Sequence, residues 1–408
     1  MKKFTLILLI FYGFGLHAQT PDNYFKSAAA NNPGLQSKYK DFEIALQKVA
    51  QVNTLPDPSL SFGYFISPVE TRVGPQKAKF SLTQMFPWFG TLKAQGDVAT
   101  LMADAKYQAF LDARNQLYYQ VSATYYPLYE LNLLKKVEQE NAEILESYKN
   151  IANVKFRNGA GGMVDVLRVD IMLKDSRANL QILKDKEKAL LAAFNKLQNK
   201  VLNEKVVIAD SLGVDILPYN FRIDSLLINN PRLQEIDLKV KASEYSETAS
   251  IKQGLPKLGV GLDYVILAKR PDMVLADNGK DILMPMVSLS IPIFRGKYKA
   301  VVKEAQLMQE KYVLQKEELI NSLTSGYEMI WFEIRQQQEL ITLYDQQVIE
   351  VEQTLRLLFS AYGNSGKDFE EVLRIQQELL KYRKMKASAM ANYHTAVAKL
   401  EYITSKSR

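Results

Sequence analysis

The chain has 408 residues, 47% of them hydrophobic and 24% charged, with 52 lysines and arginines against 45 aspartates and glutamates. It has no cysteine and two histidines, His17 and His394, which excludes disulfide scaffolds, thiolate metal sites, cysteine nucleophiles and His-rich zinc centres together. The net charge of +7 is spread along the chain, with no basic block interleaved with aromatics, so no nucleic-acid partner is expected.

Residues 1–18 read as a secretory signal peptide. Lys2 and Lys3 form the positive end, Phe4 to Leu16 the apolar stretch, and Ala18 suits cleavage before Gln19. The apolar stretch is shorter than the ~20 residues of a spanning helix, so cleavage is expected rather than anchoring. No lipid-accepting cysteine follows. No later stretch offers 18 consecutive apolar residues, so any membrane contact has to come from strands.

The first repeat is expected over residues 19–212. A helical stretch near Asp22–Asn53 leads to Leu55-Pro56 and then to two alternating segments. The first, residues 59–67, puts Leu60, Phe62, Tyr64 and Ile66 on one face and Ser61, Gly63 and Phe65 on the other. The second, residues 77–86, sets Phe80 and Leu82 against Lys79, Ser81 and Thr83. Pro87-Trp88-Phe89-Gly90 ends the pair, and a helical hairpin is expected over residues 91–200. Between Gly90 and Gly159 the only glycine is Gly96. Leu111, Tyr118 and Tyr125 recur every seven residues, as do Val137, Ile144 and Ile151, which predicts a coiled-coil seam along them. At 1.5 Å per residue the outgoing helix would be ~100 Å long. Pro127 lies inside it, removes one backbone hydrogen bond and is expected to bend it.

The second repeat, residues 213–408, is a copy of this plan. Asn31-Asn32-Pro33-Gly34-Leu35-Gln36 returns as Asn229-Asn230-Pro231-Arg232-Leu233-Gln234, and Leu55-Pro56 as Leu255-Pro256. A helix near Ile223–Gln253 precedes strands over residues 257–267 and 282–293. Leu258, Val260, Leu262, Tyr264 and Ile266 oppose Gly259, Gly261 and Asp263. Leu283, Val287, Leu289 and Ile291 oppose Met284, Met286, Ser288 and Ser290. A second hairpin is expected over residues 296–405. The hairpin breaks align without gaps, Phe156-Arg157-Asn158-Gly159 through Arg168 against Tyr362-Gly363-Asn364-Ser365 through Arg374.

Alternation over 9–11 residues, apolar on one face and small or polar on the other, fits a membrane β-strand and equally a half-buried strand of a soluble sheet. Lipid-facing strands must satisfy every backbone group, so a membrane sheet has to close, and single-chain barrels need about eight strands. Four strands per chain therefore leave two options. Either the strands are not in a membrane, or several copies pool them into one duct.

The duplicated plan of strand pair and long hairpin resembles the TolC family of outer-membrane efflux proteins over essentially the whole mature chain. Leu55-Pro56-Asp57-Pro58-Ser59-Leu60-Ser61-Phe62-Gly63-Tyr64 and Gln84-Met85-Phe86-Pro87-Trp88-Phe89-Gly90 are similar to the first strand pair of its heavy-metal branch, the CusC/CzcC-like proteins that serve cation exporters. The resemblance implies a mostly α fold with a small β part, assembled as a trimeric α/β-barrel with four membrane strands per protomer. It implies a Gram-negative outer-membrane location with a periplasmic helical extension. The implied partners are outer-membrane lipid, a periplasmic adaptor (membrane fusion) protein and an inner-membrane RND-type or related pump. No cofactor, metal site or catalysis is implied. A periplasmic adaptor would show one hairpin and separate soluble β-domains, and a structural coiled coil would leave the alternating strands unexplained.

Candidate site residues follow from this plan. Arg157, Asn158, Gly159 and Gly162 at the first break, and Gly363, Asn364 and Gly366 at the second, are expected at the hairpin tips. There the glycines and asparagines, with Gly161, would supply positive-φ positions, and the resemblance adds adaptor docking. It also places Glu371 where acidic side chains ring a closed pore, with Asp368, Arg374 and the matching Asp165 as companion gate candidates. Glu371 and Arg374 have the spacing to pair across one helical turn instead. Trp88 and Tyr64 are candidate aromatics for the lipid–water boundary. Met284 and Met286 read as adaptable packing, and His394 as structural.

Overall fold

The computed structural model describes residues 21–214, residues 228–365 apart from 273 and 275, and residues 369–405. The expected signal peptide, Gly366 and Asp368 lie outside the described residues. In chain order the elements are α1 (Pro21–Asn31), α2 (Pro33–Val52), β1 (Ser59–Tyr64), β2 (Gln76–Phe86), α3 (Thr91–Arg157) and α4 (Met163–Leu197), then α5 (Pro231–Gln253), β3 (Lys257–Leu267), β4 (Ile282–Ser290), α6 (Arg295–Ser365) and α7 (Phe369–Ile403). The series helix, strand, strand, long helix, shorter helix thus occurs twice. The repeated Asn-Pro has one physical role in both copies. The side chain of Asn32 accepts from the Leu35 amide at 3.0 Å, and that of Asn230 from the Arg232 amide at 3.0 Å. Each asparagine caps the helix that its proline opens.

The chain divides into two compact units that cut across the repeats. Residues 36–113 and 227–323 form the strand-bearing unit. Its four strands make one antiparallel sheet in the order β1-β2-β3-β4. β1 and β4 are shorter than the sequence predicts. Ser290 pairs with Lys257, and beyond it Pro256 has no N–H to continue the ladder. Past Tyr64, Phe65 still donates to the Lys77 carbonyl at 3.0 Å, and Ser67-Pro68 then leaves the sheet.

Residues to 35, 114–226 and from 324 onward form the other unit, which holds both hairpin ends. One core joins α3, α6 and α7 through Tyr129, Ile330, Ile334, Tyr393 and Leu400. A second, nearer the tips, joins α3, α4, α6 and α7 through Leu145, Val169, Tyr362, Phe369 and Val372. Tyr118 and Tyr125 are buried on the predicted α3 seam, and in the tip-ward half of the helix the seam is displaced by one residue. Leu131, Glu138, Leu145 and Ala152 are buried at sevens, whereas Val137, Ile144 and Ile151 are half-buried. α3 also runs unbroken through Pro127. A proline inside a helix costs ~3 kcal/mol. Burial of Tyr125, Leu128 and Tyr129 around it, at roughly 2 kcal/mol each, outweighs that cost.

Candidate functional site

The first tip is built from the end of α3. Gly159 has φ +72°, its amide donates to the Phe156 carbonyl at 3.1 Å, and the Ala160 amide donates to the Lys155 carbonyl at 2.9 Å. This pair of bonds around a left-handed glycine closes the carbonyl end of the helix. Gly159 alone supplies the positive φ expected here. Asn158 and Gly161 are not left-handed, and Gly162 is an extended cap at φ −89°. Asp165 sits in the first turn of α4, where its charge faces the positive end of the helix dipole.

The second tip differs. Gly363 and Asn364 continue α6 instead of turning it, so the positive φ expected of them is not found. A helix persists there because Tyr362, next to them, is anchored. Its ring stacks on Phe369 with centroids 4.5 Å apart, and the Lys155 ammonium donates to its carbonyl at 2.6 Å while lying 3.8 Å from its ring centroid. Burial pushes the Tyr362 hydroxyl above its ordinary pKa, and the charge of Asp165 adds to that shift.

At the start of α7 the acidic candidate Glu371 is engaged. Arg374 Nε donates to Glu371 at 2.9 Å, and another guanidinium nitrogen donates to Glu378 at 2.9 Å. The hydrogen bonds from Arg374 hold the Glu371 carboxyl below the usual glutamate range. Arg168 on α4 donates to Glu370 on α7 at 2.7 Å, tying the second helices of the two hairpins together. Arg168 and Arg374 hold the same place in the two repeats, and each holds a carboxylate.

In the sheet, the register separates two faces. Phe62, Phe80, Tyr264 and Leu283 form one row, and Leu60, Leu82, Leu262 and Pro285 the next, all on the same face. Leu60, Phe62, Tyr64, Leu82, Val260, Leu262, Tyr264, Leu283, Val287 and Leu289 are exposed there. From Ala78 to Phe86 this face spans about 26 Å along β2 at 3.3 Å per residue, or about 20 Å across a barrel wall at a 40° tilt. The opposite face carries Ser61, Ser81 and Met284 beside Asp263, and Thr83 and Met286 beside Gly261. Asp263 is fully buried and ion-paired with Lys79, a diagonal contact between the strand of one repeat and that of the other. Tyr64 and Trp88 stand at opposite ends of the first strand pair, 68% and 41% exposed.

Two charged pairs escape a reading by hydrophobic period. Besides Lys79 and Asp263 there is Glu138, fully buried on α3 and ion-paired with Lys384 on α7. Ser176 donates to Glu138 at 2.8 Å and Asn179 at 3.3 Å, and Gln376 donates to Asn141 at 3.1 Å in the same layer. The signal for Glu138 was its place in the sevenfold series of Leu131, Leu145 and Ala152.

Comparisons agree with this architecture. Residues 222–405, the second repeat, match the family described as outer membrane efflux protein. The outer membrane protein VceC of Vibrio cholerae superposes with a TM-score of 0.77 at 15% identity, over 94% of this chain and 95% of that one. The open-state MtrE outer membrane channel of Neisseria gonorrhoeae gives 0.76 at 15% identity, over 94% and 88%. CusC gives 0.77 at 14% identity, over 96% and 95%. These near-equal likenesses show the fold and single out no branch. No curated protein sequence matches the chain. A duplicated helix–strand–strand–hairpin plan, a two-faced four-stranded sheet and these superpositions give the chain the TolC-like fold, and its second repeat matches the outer membrane efflux protein family.

Proposed function

We propose that the chain is the outer-membrane component of an efflux system, a passive exit duct closed by three copies. The observation that carries this reading is the sheet: an exposed apolar face covering about 20 Å of the ~25 Å lipid-facing band of outer-membrane barrels, bounded by two edge strands that each have one neighbour among the described residues. In water, so large an apolar face is an aggregation liability, and in lipid each unsatisfied edge group costs several kcal/mol. Closure with further strands removes both problems. Three copies supply twelve strands, enough to enclose water, and the face with Lys79, Asp263, Ser61 and Ser81 then turns to the lumen. Tyr64 marks one lipid boundary, and Trp88 stands at the other end of the strand pair, where the sheet meets the helices.

In this reading the helices extend into the periplasm of a Gram-negative cell. The tips at Arg157–Gly162 and Gly363–Gly366 dock on a periplasmic adaptor, which links the duct to an inner-membrane RND-type or related pump. Energy enters at the pump, and no catalysis occurs in the duct. Glu371 forms a threefold girdle at the closed end, charge-compensated by Arg374, with Asp165 as the matching acid of the first tip. A heavy-metal cation as cargo rests on the resemblance of the first strand pair alone. The test is fractionation followed by planar-bilayer recording of the purified protein. A heat-modifiable trimer in outer-membrane extracts with discrete conductance is expected, and a soluble periplasmic monomer overturns the reading.

A further inference from the structure

Within the strand-bearing unit a cavity of about 1220 Å³ opens where the helices meet the sheet. All four helices of that unit, α2, α3, α5 and α6, wall it, together with Lys257 at the start of β3. Lys257 shares a sheet face with Gly259, Gly261 and Asp263, so the cavity continues the polar face. Five lysines line it, Lys48, Lys106, Lys252, Lys257 and Lys297, against two aspartates, Asp41 and Asp57. Asp41 is already within 3.9 Å of Lys38. Lys48 donates to Gln51 at 3.3 Å, and among the described residues none of the five lysines forms an ion pair. Elsewhere the chain pairs its charges freely, as at Lys149–Asp170 or Arg383–Glu352. Between the ammonium groups the wall is mixed: Ile44, Leu92, Met102, Tyr298 and Val301 form its apolar part, with Trp88 among them, and Gln95, Ser246 and Gln253 its neutral polar part.

An excess of charge of one sign around a partly apolar wall focuses the field and concentrates counter-ions. Apolar walls with a few convergent polar groups hold an organic body, and ordinary ligand pockets of ~300–1,000 Å³ are no larger than this one. We propose that the cavity is a binding site for anionic amphiphiles, molecules carrying a carboxylate, sulfonate or phosphate on an apolar body. As a binding site it needs only this unit. As a station on an export path it rests on the duct reading, and it gives the cargo the opposite charge to a metal cation. The same chemistry is offered by exported organic anions and by phospholipid headgroups.

The cavity contains one of the two tryptophans, so Trp331→Phe leaves Trp88 as its reporter. The full-length protein in phosphatidylcholine nanodiscs is titrated with pyrenebutyrate, with the neutral pyrenebutanol and with a pyrenebutyl-trimethylammonium cation, empty discs being subtracted. Saturable energy transfer from Trp88 is expected for the anion and not for the cation. The triple variant Lys48→Gln/Lys106→Gln/Lys297→Gln weakens it at least ten-fold, and the matching triple arginine variant retains it. Equal binding of all three probes by the unaltered lysines overturns the proposal without reliance on any variant, as does unchanged affinity in a folded glutamine triple. Two further arms assign the source. Pyrenebutyrate blocking the current of the parent and not of the triple marks an export path. Phosphatidylglycerol retained by the parent and lost from the triple in native mass spectrometry marks a lipid seat. A parent without conductance overturns the duct reading alone, because binding is read independently of it.

Discussion

Asn32 illustrates how one side chain serves two elements. Its oxygen caps α2 and its amide donates to the Leu197 carbonyl at the end of α4, 2.8 Å away. Asn32→Ala removes both and should cost about 2 kcal/mol, roughly 1 for the cap and 1 for the hydrogen bond, read from denaturant midpoints. Lys384 is the stronger case. Its partner Glu138 is fully buried, so Lys384→Met strands a charge among packed helices and should destabilise by about 3 kcal/mol. The double variant Glu138→Gln/Lys384→Met should recover most of that loss, and a double variant no better than the single contradicts the pairing. At the proposed gate, Glu371→Ala releases Arg374 and removes the carboxylate of the girdle, so single-channel conductance or antibiotic leakage should rise. Unchanged values count against a gate there. The sequence placed Glu371, Arg374 and Asp165 at helix starts correctly. It could not show that Arg374 grips both Glu371 and Glu378, because the rotamer of a long side chain follows from its surroundings.

At the scale of elements, the first hairpin is fastened by Asp170 on α4, which contacts Lys149 on α3 at 2.5 Å and Lys174 at 2.8 Å. These hydrogen bonds, with Lys149 the larger cause, lower its pKa from 3.8 to about 2. A depressed carboxylate pKa means that the folded form holds the proton less tightly than the unfolded one, so the contribution is complete above the ordinary value and fades as pH falls toward the folded one. Asp170→Asn should therefore lower Tm at pH 7, and the gap to the parent should close as pH drops from about 4 to about 2. A gap constant down to pH 2 contradicts the link. Element types and most boundaries were legible from period and punctuation. Two features were not: the α3 seam passes through Glu138 instead of Val137, and the second tip keeps Gly363 helical. Both depend on packing partners, the polar layer around Ser176 in one case and the Tyr362–Phe369 stack in the other.

For the whole molecule, the two faces of the sheet make opposite demands. Leu262→Arg puts a charge on the face assigned to lipid, should cost about 2–4 kcal/mol and should abolish trimers in membrane extracts. Ser81→Arg on the other face should assemble and alter ion selectivity in bilayers. If both variants assemble equally, the assignment of faces is wrong. The sequence by itself determined the duplication, the long hairpins and the two-faced strands, because 3.6- and 2-residue periods and capping residues act over short stretches of chain. Tertiary structure alone decided which charges are paired. Glu138 meets Lys384 across 246 residues, Lys79 of one repeat meets Asp263 of the other, and five lysines drawn from all four helices of the strand-bearing unit and from β3 converge on one cavity. A charge has no period to announce its partner. Its energy depends on which groups folding brings within a few ångströms and how much water they keep.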